Sequence, residues 1–183
     1  MKKICTLLVT AIIIQAAAAQ SEKTNDRIFK KFKVDISLGY AKPQSSDTKA
    51  GVIFVIEPKY AVMDQLSVGI RLEGAALANI DADGEKGKVR VLGSYLATGD
   101  YYFSNNKFRP FAGAGAGIFN MASVDIDNGE EEITVPSSSS FGFMVRTGFE
   151  YGHLRLGLEY NILKEKAGYF GVKIGACIGG GRK

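Results

Sequence analysis

The sequence predicts an all-β chain folded as an antiparallel up-and-down barrel of about eight strands. Three observations predict it. Apolar residues recur with a period of two, segment after segment. The joins between those segments alternate between a few residues and many. The 22 glycines in 183 residues, about 12% against a usual ~7%, lie inside the alternating segments and not in a linker. Collagen, coiled coil and disordered tail are excluded. A mean hydropathy of +0.02 without any run of 18 apolar residues also excludes a helical membrane bundle. It leaves open a membrane barrel, whose strands average to near zero.

The first element is a leader. Lys2 and Lys3 are followed by an almost unbroken apolar stretch from Ile4 to Ile14, then by the small residues Ala16 to Ala19. This is the pattern of a secretory signal peptide over residues 1–19, cut before Gln20. The stretch is short for an anchor helix crossing about 30 Å. Cys5 leaves with the leader, so Cys177 is the one cysteine of the mature chain and no internal disulfide is expected. Cleavage takes two of the 23 basic residues and leaves a surplus of two over the 19 acidic ones, too small and too dispersed for a nucleic-acid partner. A polar tail, residues 20–31, precedes the barrel domain, residues 32–183.

The strands follow. Phe32, Val34, Ile36, Leu38 and Tyr40 alternate with Lys33, Asp35, Ser37 and Gly39. Leu66, Val68, Ile70 and Leu72 alternate with Ser67, Gly69, Arg71 and Glu73. Phe141 to Tyr151, Leu154 to Tyr160 and Phe170 to Ile178 repeat the pattern, and less regular strands are expected near 51–60, 91–103 and 108–121. Each is close to the roughly 9–11 residues that a tilted membrane strand needs. Tight turns are expected at Met63 to Gln65, at Ser104 to Lys107 and at Gly152 and His153. Long polar loops are expected over 41–50, 77–90, 122–139 and 163–167. Short turns at one end and long loops at the other are the layout of an outer-membrane barrel, with turns and termini in the periplasm.

Alternation does not say which face meets lipid, because a secreted soluble barrel uses the same pattern inside out. The composition of the charged face decides. Glycines recur there between long charged side chains (Arg146, Gly148, Glu150; Arg155, Gly157, Glu159; Gly171, Lys173, Gly175). Glycine weakens a solvent-facing strand without gain, whereas in a narrow interior it makes room. All tyrosines but Tyr95 fall near expected strand ends, where membrane barrels carry aromatic girdles. The fold class is therefore a transmembrane β-barrel, exported and placed in the outer membrane.

The hairpins KYAVMDQLSVGIRLEG and FGFMVRTGFEYGHLRLGLEY, the final GYFGVKIGACIGGGRK and the leader together make the chain resemble the small outer-membrane β-barrel proteins. These are the OmpA/OmpX-like eight-stranded class, also described as outer membrane beta-barrel domain or porin family proteins. The resemblance runs from Phe32 to Gly181. It implies outer-membrane lipid and lipopolysaccharide as surroundings, the barrel-assembly machinery at insertion, and a monomer. Many relatives end on an aromatic residue that assists assembly; this chain ends Gly-Gly-Gly-Arg-Lys.

Other motifs have plainer readings. Gly113, Gly115 and Gly117 lack the third spacing of a dinucleotide loop and read as a glycine face of one strand. Asp81, Asp83 and Glu85, and Asp125, Asp127 and Glu130 to Glu132, do not complete a calcium loop and read as solvated loops. His153, the one histidine, reads as a turn residue with no serine placed beside it, and Cys177 as a small interior residue. No catalytic residue, cofactor or metal is assigned.

The interior carries the site expectation. If Gly152 and His153 are the central residues of a hairpin turn, Glu150 lies opposite Arg155 and Arg146 opposite Glu159. Both pairs are oppositely charged and share a face with Gly148 and Gly157. Arg71 and Glu73 with Glu57 and Lys59, and Lys173 with Asp35, extend the same interior charge network. An eight-stranded interior is just wide enough to be filled by side chains. The function expected is thus a filled, non-conducting barrel with four long outer loops and a structural or interaction role. The alternatives are a minimal channel or carrier for small hydrophobic solutes, a lipid-acting enzyme, which lacks a catalytic constellation, and a secreted soluble binding barrel.

Overall fold

The computed structural model describes residues 27–44, 50–80, 86–127, 130–132, 138–163 and 168–183. The leader, most of the tail and the tips of the long loops, including Asp81, Asp83 and Glu85, lie outside the described residues. The strands are β1 (Phe32–Pro43), β2 (Gly51–Met63), β3 (Leu66–Ile80), β4 (Lys86–Tyr102), β5 (Phe108–Asp127), the short β6 (Glu130–Glu132), β7 (Ser138–Tyr151), β8 (Leu154–Ile162) and β9 (Tyr169–Gly179). Every pairing is antiparallel. Neighbours in sequence are neighbours in space, β9 returns to β1, and β4 pairs β5, so eight strands close on themselves while β6 only flanks the far end of β5. Closure leaves no strand edge bare, the condition for crossing lipid.

The tight turns fall where the sequence places them. Gly152 has φ +61°, the sign demanded of the first central residue of a primed hairpin turn, and Tyr151 pairs with Leu154. The register that follows sets Glu150 opposite Arg155, Gly148 opposite Gly157 and Arg146 opposite Glu159. Three strands outrun expectation. β3 and β4 continue to Ile80 and Lys86, with Ile80 paired to Gly87, and β5 runs on to Asp127. At 17 and 20 residues β4 and β5 exceed the roughly 9–11 needed to span a bilayer. Their outer parts are hairpins beyond the membrane, where backbone pairing continues but apolar alternation has no reason to.

The faces are inverted relative to a soluble protein. Ile70 is 61% exposed while its neighbour Arg71 is fully buried at 0%. Phe54, Val68, Phe143, Leu158, Val172 and Ile174 point outward with it, and the lysines, arginines and carboxylates of the same strands point in. Leaving such side chains in water forfeits about 1.5–3 kcal/mol each. The surrounding medium is therefore lipid, and the soluble-barrel alternative falls. Two tyrosines depart from the girdle reading: Tyr102 and Tyr169 are buried in the lumen, because their positions share parity with Asp100 and Gly171. Tyr40, Tyr60, Tyr101, Tyr151 and Tyr160 do lie exposed near strand ends.

The interior is charged only in part. Toward the long-loop end it is apolar, with Ala41, Ile53, Val55, Ala75, Leu92, Leu96, Phe119 and Met144 packed together. At the opposite end, residues 27–31 of the expected tail are held in place. Phe29 bridges Arg182, Lys30 N–H donates to the Gly181 carbonyl at 3.0 Å, and Asp64 accepts from the Phe29 amide at 3.2 Å.

Refolded in detergent, the chain should show β-type circular dichroism and run faster on a gel unheated than boiled. A protein that stays monodisperse without detergent would contradict the inverted surface.

Candidate functional site

Side chains of inward parity on eight strands meet in a lumen too narrow for water-filled space between them. Where those side chains are long and charged they must neutralise one another, since an unpaired buried ion is strongly destabilising. They do so in two tiers. The tier nearer the short turns contains Lys33, Asp35, Glu57, Lys59, Asp100, Arg146, Glu150 and Arg155, all buried. Asp100 is its centre, taking Lys59 Nζ at 2.6 Å, Arg146 Nε at 2.7 Å and Arg155 Nη2 at 2.8 Å. Glu57 accepts both Nη groups of Arg146, at 2.7 and 2.6 Å, and the Thr98 hydroxyl at 2.5 Å. Asp35 lies 2.6 Å from Lys59 Nζ and 3.4 Å from Arg155. Glu150 is bound by Lys33 at 2.5 Å, by the Tyr102 hydroxyl at 2.7 Å and by Arg155. The Arg155 guanidinium also stacks 3.7 Å over the Phe111 ring.

The second tier is built from Arg71, Glu73, Glu159 and Lys173. Arg71 pairs with Glu73 on its own strand and with Glu159 at 2.6 Å across the lumen. Lys173 pairs with Glu159, and the Tyr169 hydroxyl donates to Glu73. Each tier is electrically balanced, four cations with four carboxylates and two with two.

All ten charged residues singled out in the sequence lie in these tiers, though not always with the partner expected. Glu150 and Arg155 join as their register predicts. Arg146 and Glu159 are opposite in register yet do not bond: Arg146 crosses to Glu57 and Asp100, and Glu159 to Arg71 and Lys173. Lys173 meets Glu159 and not Asp35, which goes to Lys59. The reason is geometric. Register fixes which Cα atoms are neighbours on the wall, but an inward guanidinium long enough to reach the axis meets groups from the far wall. In the closed order β1, β2, β3, β4, β5, β7, β8, β9, strand β7 stands diametrically across from β2 and β8 from β3. Arg146 with Glu57, and Arg71 with Glu159, are thus diameters of the barrel.

The sequence reading did not include Lys33, Asp100, Tyr102 or Tyr169 in the network. The available signal was the shared parity of Thr98, Asp100 and Tyr102, blurred because Ala97 and Gly99 on the other face are small. Glycine supplies the room that was expected. A Cβ on Gly113 would strike the Asp100 carboxylate and lie 2.6 Å from the Gly99 carbonyl, and one on Gly171 would lie 2.9 Å from Glu159 Cγ. Asp35, Glu150 and Cys177 bring ligand-type atoms within 4.8 Å of one another. Their carboxylates are already engaged by Lys33, Lys59 and Arg155, which a metal ion would have to displace. His153 sits in the β7–β8 turn with Nδ1 2.8 Å from the Cys177 carbonyl.

Residues 5–176 match the family model described as "Outer membrane protein beta-barrel domain". Among solved structures the chain is similar to Neisserial surface protein A, with 20% identity and a TM-score of 0.62 over 82% of this chain and 98% of that one. It is also similar to Ail, the attachment invasion locus protein of Yersinia pestis, solved in complex with the heparin analogue sucrose octasulfate. That likeness has 14% identity and a TM-score of 0.53 over 82% of this chain and 99% of Ail. At these identities the likeness is one of fold. No match was found among curated proteins.

Asp100→Ala leaves three cations without their common partner and should destabilise the folded barrel by about 3–5 kcal/mol in urea titrations. A double-mutant cycle should give Arg146 and Asp100 a coupling of roughly 0.5–3 kcal/mol. Arg146 and Glu159 should couple less.

Proposed function

Because the chain belongs to the outer membrane protein β-barrel domain family, we propose that it works in an outer membrane as a closed, non-conducting barrel. Its long hairpins form the surface that meets the outside. The observation that carries this reading is the pair of diametric ion pairs, Arg146 with Glu57 and Arg71 with Glu159, each inside a neutral tier. A conducting lumen needs a continuous path of water. Here the axis is occupied by bonded side chains, and the apolar cluster of Ile53, Leu92, Phe119 and Met144 lies beyond them toward the loops. The role in this reading is structural and interactive, with each carboxylate of the tiers engaged by a cation that closes the lumen.

In this reading residues 1–19 direct export and are removed, and the barrel-assembly machinery inserts residues 32–183. Outer-membrane lipid and lipopolysaccharide surround the apolar wall, and the short turns face the periplasm. The acidic residues Asp125, Asp127 and Glu130 to Glu132 would then lie outside the cell.

In planar bilayers the wild-type barrel should show no steady conductance, and the Arg146→Ala, Glu57→Ala double variant should leak. A large steady wild-type conductance would support the channel alternative instead. Protease added to intact cells should cut first between Leu77 and Arg90 or between Ala122 and Ser139. Protection of both, with cleavage at Gly152, would invert the topology.

A further inference from the structure

At the short-turn end the lumen opens into a concave cavity of about 320 Å³ below the ionic tiers, a volume within the range of small-molecule sites. Its floor is the Lys33–Glu150 pair, already neutral. Its walls are not. Lys107 and Arg182 line it with no carboxylate within ion-pairing distance among the described residues, and Arg109 approaches one, Glu150, only at 3.9 Å. Everywhere else in the lumen a cation faces a carboxylate at close range; here three cations share part of one.

The three differ in freedom. Arg109 is fixed, clamped between the Phe29 ring at 3.9 Å and the Tyr102 ring at 4.1 Å, with Nη2 donating to the Asp64 carbonyl at 2.6 Å. Lys107 rests 5.1 Å over the Tyr151 ring and Arg182 donates to the Asn105 carbonyl at 3.0 Å; both side chains are exposed and held by contacts that a charged partner outcompetes. His153 also lines the cavity, its ring held by Nδ1 at 2.8 Å from the Cys177 carbonyl. Phe29 adds an apolar wall. Concave walls of one sign focus the potential inside such a mouth.

We propose that this mouth cavity binds a phosphate group, with Arg109 as the fixed donor and Lys107 and Arg182 closing over it. The inference goes beyond the non-conducting role and does not depend on which side of the membrane the short turns face. The phosphate belongs either to a free phosphorylated solute or to the headgroup of a phospholipid bordering the mouth, since the same three cations serve both.

The test uses the whole folded barrel in octyl glucoside, a detergent without phosphate, titrated with inorganic pyrophosphate. Nuclear magnetic resonance should show saturable shifts at the amides of Gly179, Gly180 and Gly181 and at the His153 ring. The K107Q/R182Q variant, checked for unchanged heat-modifiable mobility, should bind about tenfold or more weakly, the usual loss for charge-assisted bonds. K42Q at the other end should bind normally. Wild-type affinity should also fall as salt rises, a readout that needs no variant. In phosphatidylglycerol nanodiscs, shifts present before pyrophosphate is added assign a lipid headgroup, and shifts appearing only on its addition assign a free solute. No saturable shift at low ionic strength in either medium, or equal affinity in the double variant, overturns the proposal.

Discussion

Lipid offers no hydrogen bonds, and the architecture of this chain answers to that fact first. Each strand must find both of its neighbours, so β9 has to return to β1 and β4 has to meet β5. Closing eight strands then sets the bore, and the bore sets what the inward side chains can do. They cannot be solvated individually and they cannot be left unpaired. The alternation of each strand, the glycines opposite the bulkiest charges and the balanced tiers are successive consequences of closing the ring in an apolar medium.

Ion pairs of this kind are poor evidence of stability by themselves. Removing two charges from water is expensive, and a well-packed apolar interior of equal volume is often as stable. The same lumen demonstrates it, because its loop-side half is packed by Ile53, Val55, Leu92, Leu96, Phe119 and Met144 without a charge among them. The ionic tiers contribute something different. Asp100 binds groups from β2, β7 and β8, so it fixes the rotation of those strands about the axis relative to one another. A shift of any one strand by a single residue would turn its charges outward into lipid.

Much of this was legible in the chain. The Gly152–His153 turn pinned the register of β7 on β8, and parity alone put Arg71, Glu73, Glu57 and Lys173 inside. What was not legible has a common physical cause. Ion-pair partners in a barrel are set by the bore as well as by register: Arg146 faces Glu159 on the wall, yet it reaches Glu57 on the far wall and Asp100 two strands away, past Gly113. The apolar half escaped notice because in GVIFVI, residues 51–56, both faces are apolar, and alternation has nothing to report. Asp100 and Tyr102 were hidden beside a turn, where polar residues are expected in any case.

The diametric pairs also constrain the order in which the molecule can be made. Arg146 and Glu57 are 89 residues apart in sequence, Arg71 and Glu159 are 88, and Lys33 and Glu150 are 117. None of these contacts can form from a single hairpin, and contacts of such long range form late because the chain must first close large loops. Until β7 and β8 arrive, Asp100 lacks two of its three cations, and Glu57 and Arg71 lack Arg146 and Glu159, their partners across the lumen. A half-built barrel therefore cannot rest in the hydrocarbon region, and insertion and closure must proceed as one cooperative event. The plug acts as a timer on assembly: its charges are silenced only when the last strand is in place.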